Sequence, residues 1–211
     1  METLSALVIV LSVLSLLSLF ILHFVSPEFK MSWRMISEYA LGNHKWLVTA
    51  FFIFWGLASM LLAFLLWHVV SSLWSQIGVI LVLISGVGAI MGGIFDVKHK
   101  HHGLAFLLGV PTLPIGALLI CYHLIGIEQW QSHQDILLIS THSIWISFVL
   151  MAISMVILMS GYKKTGLPMG PGVEPPKELP KGVIGVNGYF NRLLVVCYIL
   201  WLIVMAYIIY I

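Results

Sequence analysis

The sequence predicts an all-α fold: a polytopic membrane protein built as a six-helix transmembrane bundle. Three observations carry this. Of 211 residues, 61% are hydrophobic and only 9% are charged, against about 25% charged in an average soluble domain. The mean hydropathy is +1.07. The charged residues fall between apolar runs that reach the length a helix needs to cross a bilayer, roughly 20 residues. This composition excludes a soluble enzyme, a disordered chain and a nucleic-acid binder with a basic face. Residues 1–211 read as a single transmembrane domain. Six spans take about 130 residues, which leaves room for one long loop.

The first span is expected over 4–25. Only Glu2 precedes it among charged residues, and "SLLSLFILHF" is too long for the apolar stretch of a cleaved leader, so it reads as a retained helix. Residues 46–95 hold no Asp, Glu, Lys or Arg. That is too long for one crossing, and the polar break "HVVSSLWSQ" divides it into spans at 46–70 and 76–95. Trp67 and Trp74 flank the break, as suits a turn at headgroup level. The fourth span, 102–126, contains Pro111 and Pro114 and is expected to kink. The fifth covers 136–160 and the sixth 193–211. Between them lies the one long loop, 163–192, whose "GLPMGPGVEPPKELPKG" is too rich in proline and glycine for a helix.

Charge orders the connections. All ten Lys and Arg residues fall in loops 1–2, 3–4 and 5–6, while the other side carries Glu2, Glu128 and Asp135. The positive-inside rule then places both termini outside the cytoplasm of a cell membrane. Within the third span, "SGVGAIMGG" sets Gly88 and Gly92 four apart, spacing that lets helix backbones approach closely. It serves either packing inside the bundle or a homo-oligomer face. Cys121 and Cys197 sit in apolar runs and read as small packing residues, not a disulfide framework.

Nine histidines are many for this length. His44, His99, His101 and His102 lie on the basic side with His23 near it; His68, His123, His133 and His142 lie toward the other. Histidines paired across helices hold haem in six-helix cytochromes b, which makes a b-type haem protein one alternative. In "FDVKHKHHG", Asp96, His99, His101 and His102 offer metal-ligand chemistry. A hydrated turn whose cations meet anionic headgroups explains the same residues.

Three segments taken in order, "SEYALGNHKWLVTAFFIFWG", "GGIFD" with "HGLAFLLG", and "GYFNRLLVVCYILWLIVMAY", resemble the prokaryotic six-span membrane proteins catalogued as domain of unknown function 998. The likeness runs over about 5–210. Family-like positions are Ser37, Ala40, Leu41, Gly42, Trp46 and Gly56, then Phe95, Asp96, His102 and Gly103, then Gly188, Arg192 and Trp201. The resemblance implies the six-span fold and a membrane location, and brings no agreed activity. Two departures stand out. Family members often carry a second histidine where this chain has Phe106. Their basic loops are often 2–3 and 4–5, which here have no Lys or Arg.

Ser37, Asp96, His102 and Arg192 come from separate stretches that the bundle brings to one membrane face. Ionisable residues at helix ends beside a bundle interior often mark a site. The expected site is therefore a polar cluster of these four, with Asp96 orienting His102 and Arg192 holding a phosphate or carboxylate. The structural alternative has Asp96 pair with Arg192 and lock spans three and six. Two functions follow: binding of a membrane lipid or small amphiphile without chemistry, or a membrane-embedded metal-dependent hydrolase. Hydrolases of the latter kind place an HxxxH pair in a late helix, and the last span here has no histidine.

Overall fold

A chain in hydrocarbon must satisfy its own backbone hydrogen bonds, so the apolar runs become helices. The computed structural model of the protein describes residues 1–167, 173 and 175–210. Among these run α1 (Glu2–Val25), α2 (Lys45–Trp67), α3 (Leu73–Ile94), α4 (His102–Gly109), α5 (Thr112–Leu124), α6 (Gln134–Lys164) and α7 (Asn187–Tyr210). Short 3-10 helices occupy Ile36–Leu41 and Glu128–His133. Six segments are long and apolar enough to cross a membrane, with α4 and α5 together forming one of them. The molecule is a multi-pass membrane protein.

Helix borders differ from the borders of the apolar runs. Helix α3 starts three residues earlier than expected because the Ser72 hydroxyl accepts the Ser75 N–H at 3.2 Å, an N-cap. Helix α7 starts at Asn187, not at 193. Its polar first turns rest on the 26–44 connection: Gly188 N–H donates to Ser32 O, and Ile36 N–H donates to Asn191 Oδ1, both at 2.9 Å. The expected end of the last span at 211, and positions 168–172 and 174 of the proline-rich loop, lie outside the described residues.

The spans form a ring. Helix α1 packs on α2, α2 on α3, α3 on α4 and α5, α5 on α6, α6 on α7, and α7 closes back on α1. On α1 the buried seam is Ser5, Val8, Ser12, Ser15, Leu19 and Leu22, alternating steps of three and four as in a coiled coil. Small seam residues let α2 come close enough for Ser15 Oγ to donate to Phe51 O at 2.8 Å. At the α2–α3 crossing a Cβ on Gly56 would lie 2.6 Å from Gly86 O. Gly88 is buried so tightly on α4 that a Cβ would overlap the Gly109 backbone, and Gly92 faces Phe52 of α2. In this chain both glycines make contacts within the bundle.

The expected kink in span four is a full break at Pro111, between α4 and α5. Pro114 has no N–H to offer Val110 O one turn back. The Tyr198 hydroxyl of α7 donates to that carbonyl instead, and Ser85 Oγ of α3 donates to Gly109 O at 2.7 Å. Neighbouring helices thus satisfy what the prolines release. One consequence bears on the site: α5 packs on α6, whereas α4 has no comparable packing against α6.

Candidate amphiphile-binding groove

The 26–44 connection is a folded cap. Phe29, Trp33, Ile36 and Tyr39 are buried, and the Tyr39 hydroxyl donates to Phe29 O at 2.7 Å while its ring stacks on Phe29. Arg192 fastens this cap to the bundle. Its Nε donates to His23 Nε2 at 2.7 Å, Nη1 to Arg34 O at 2.7 Å and to Gly188 O at 2.8 Å, and Nη2 to the Tyr39 hydroxyl at 2.9 Å. These contacts settle the His23 tautomer. Nδ1 lies 2.6 Å from Leu19 O, which can only accept, so Nδ1 carries the proton and Nε2 is the acceptor for Arg192. Both ring nitrogens of His23 are therefore engaged.

Asp96 has a different partner. Its Oδ2 accepts from Lys45 Nζ at 2.7 Å, joining the start of α2 to the end of α3, and Oδ1 accepts the Lys98 N–H at 3.2 Å. The Lys45 hydrogen bond holds the Asp96 carboxyl below its ordinary range. The expectation of one cluster, and its structural alternative of an Asp96–Arg192 pair, are thus replaced by two separate fastenings. The reason is reach: Lys45 begins α2 beside the α3–α4 turn, while Arg192 is occupied by α1 and the cap.

Ser37 and His102 do come together. Both line a groove of about 460 Å³ between the cap, α4 and the end of α6. Glu38 and Tyr162 line it too, and its walls include Phe106, Met155 and Met159. A cavity of about 60 Å³ adjoins it, sharing Met35, Ser37, His102 and Phe106. Glu38 pairs with Arg34, Oε2 to Nη1, at 2.8 Å, with side chains only 12% and 8% exposed. Burial raises the Glu38 carboxyl above its ordinary range, against the pull of Arg34. The Tyr162 hydroxyl is buried and has no hydrogen-bond partner among the described residues. His102 Nδ1 lies 2.9 Å from Phe95 O and must donate to it, which leaves Nε2 as an acceptor when the ring is neutral.

Glu38, Tyr162, His23 and Tyr39 were not singled out from the sequence as site residues. Glu38 carries the one usable signal, since it stands four residues after Arg34. Tyr162 carries none, being one more aromatic residue at the end of an apolar run. Among the described residues no three His, Cys, Asp or Glu side chains stand together as a metal would require.

No curated protein and no solved structure matches the chain. A family model described as "Protein of unknown function (DUF998)" matches residues 9–208. That span is nearly the whole sequence, and the chain belongs to this family of membrane proteins.

Proposed function

We propose that the protein binds a membrane lipid or comparable small amphiphile in the groove between the cap, α4 and α6. One observation carries the reading: the groove combines polar residues, Ser37, Glu38, His102 and Tyr162, with apolar ones, Phe106, Met155 and Met159 from the helices and Val97, Leu167 and Pro175 from the loops. A head and a chain need both. Methionines also adapt to chains of differing shape. Ser37 and His102 contact the head in this reading. Asp96 and Arg192 act at one remove, by fixing the α3–α4 turn and the cap. Phe106 is 41% and Met159 38% exposed, so the apolar wall faces the side from which a lipid would enter.

Gly103 provides the test. It lines the groove, and a Cβ there meets nothing within 4 Å. Gly103→Trp is therefore expected to fold and to fill the groove. Lipid that co-purifies with the wild type in mild detergent, measured by mass spectrometry, should fall several-fold in the variant. Equal retention by both proteins overturns the reading.

The charge distribution supports a cell-membrane orientation with both termini outside the cytoplasm. In a variant whose Cys121 and Cys197 are replaced, single cysteines at Glu128 and Lys177 report on opposite faces. A membrane-impermeant reagent applied to intact cells should label position 128 and spare 177; the reverse pattern inverts the orientation.

A further inference from the structure

We infer that the groove selects amphiphiles whose head carries an ammonium group over those whose head is a phosphate or carboxylate. This rests on the groove being an amphiphile site and assigns the chemistry of its head.

The polar residues present acceptors. Glu38 lines the groove with its carboxylate, which accepts from Arg34 Nη1 through Oε2 and takes a backbone hydrogen bond from Met35. His102 spends its Nδ1 proton on Phe95 O, so Nε2 offers a lone pair. Ser37 and Tyr162 add hydroxyls, and that of Tyr162 is buried without a partner. Among the described residues no Lys or Arg lines the groove. Arg34, the nearest cation by its pairing with Glu38, packs its guanidinium against Trp33 at 4.7 Å and Phe29 at 5.3 Å, on the cap side. An anionic head would thus meet a carboxylate and lone pairs with no lining cation to balance it. An ammonium head has three donors to place, or a diffuse positive charge if quaternary, and meets a carboxylate oxygen, an imidazole nitrogen and two hydroxyls. Burial strengthens this discrimination, because charges within a groove of low dielectric are poorly screened.

The test uses the full chain in nanodiscs of uncharged lipid, with empty nanodiscs subtracted. The probes are radiolabelled dodecylamine and dodecyl phosphate, equal in chain and opposite in head. The wild type should bind the amine at least about tenfold tighter, which corresponds to about 1.4 kcal/mol. Glu38→Gln should bring the two to within about twofold of each other, and Gly103→Trp should weaken both. Equal or tighter binding of the phosphate by the wild type overturns the inference, and this arm decides the matter even where Glu38→Gln does not fold. So does a Glu38→Gln protein that keeps the full preference. If Gly103→Trp binds both probes as the wild type does, the groove itself is not the site, and the broader reading fails with it.

Discussion

The two ends of the bundle are built differently. At the end that holds loops 1–2, 3–4 and 5–6, side chains tie together elements far apart in sequence. Arg192 reaches His23, Tyr39 and the Arg34 carbonyl, Asn191 caps Ile36, and Lys45 meets Asp96. At the other end the fastenings are mostly local. Ser72 caps its own helix, His68 bonds Phe64 O one turn back, and a 3-10 helix over Glu128–His133 leads into α6. His123, which accepts the Ser71 N–H at 3.3 Å, and Tyr122 with His142 at 3.2 Å are the longer-range contacts there. Short turns need only local caps, because two helices joined by a few residues are already neighbours. Long connections must be held down by contacts from elsewhere. The cap and the groove occur at the same end, where the long 26–44 connection, once ordered, places Ser37 and Glu38 beside α4 and α6.

The sharpest way to break this contrast is at Arg192. Replacing it with Met removes four hydrogen bonds at once and leaves the Arg34 carbonyl, the Tyr39 hydroxyl and His23 Nε2 without that donor. Interhelical bonds in membranes average about 0.6 kcal/mol and reach about 1.7, while bonds from charged groups reach about 3. A loss of about 2–5 kcal/mol follows, seen as a large fall in melting temperature in detergent. At the opposite end, His123→Ala removes one long bond to a backbone N–H and is expected to cost under about 1 kcal/mol. Comparable losses for the two variants would show that the ends are not so different.

Gly88→Ala probes the region between the ends. Its added methyl group meets the Gly109 backbone, which cannot rotate away. Overpacking of this kind costs about 1–3 kcal/mol. Gly103→Ala on α4 meets nothing within 4 Å and gains helix propensity of up to about 1 kcal/mol. The two glycines should therefore give opposite signs in the same thermal assay.

These cases show what was legible in the sequence. The span count, the hairpin at 68–76 and a distortion of the fourth span at its prolines could be read, though not that it becomes a full break, since hydrocarbon and a missing N–H act locally. The start of α7 could not. Hydropathy marks where lipid begins, whereas Asn187 to Arg192 are helical because Ser32, Ile36 and His23 receive them. Ser37 and His102, which the sequence places at one membrane face, line the same groove, but the sequence holds no sign of the partners of Asp96 and Arg192. Lys45 lies 51 positions from Asp96 and His23 lies 169 from Arg192, and no periodicity or charge map carries pairings of that range.

A smaller effect separates the groove from the rest of the cap. Burial raises the Glu38 carboxyl, so the folded state holds that proton more tightly than the unfolded chain does. The stabilisation is complete below the unfolded value and is lost as pH rises through the folded one. Arg34 beside it, Arg192 of α7, Tyr162 of α6 and His102 of α4 are the charged or titratable groups around it, and the two arginines oppose the shift. Melting temperature should therefore decline as pH rises above 4.5, the ordinary glutamate value. Glu38→Gln should flatten that part of the profile while leaving the histidine region unchanged. A Glu38→Gln profile parallel to that of the wild type would remove Glu38 as its source.

The smallest effect is expected at Asp96, although it belongs to the same end as Arg192. The Lys45 and Asp96 side chains are 47% and 25% exposed, so water competes for both. Pairs this open are worth about 0–1 kcal/mol and weaken with salt. Asp96→Asn also keeps an acceptor for the Lys98 N–H, so the turn retains its local bond. Its loss should therefore stay below about 1 kcal/mol at low ionic strength and vanish in concentrated salt. The low-pH limb offers a second view. The Asp96 carboxyl lies below its ordinary range, so its contribution is present above the unfolded value of 3.8 and is lost as pH falls through the folded one. Wild type and Asp96→Asn should converge in stability on the acid side of 3.8. A salt-insensitive loss as large as that of Arg192→Met would mean that Asp96 is as firmly built into this end as the arginine. The contrast between an open surface pair and a guanidinium held by four bonds would then be wrong.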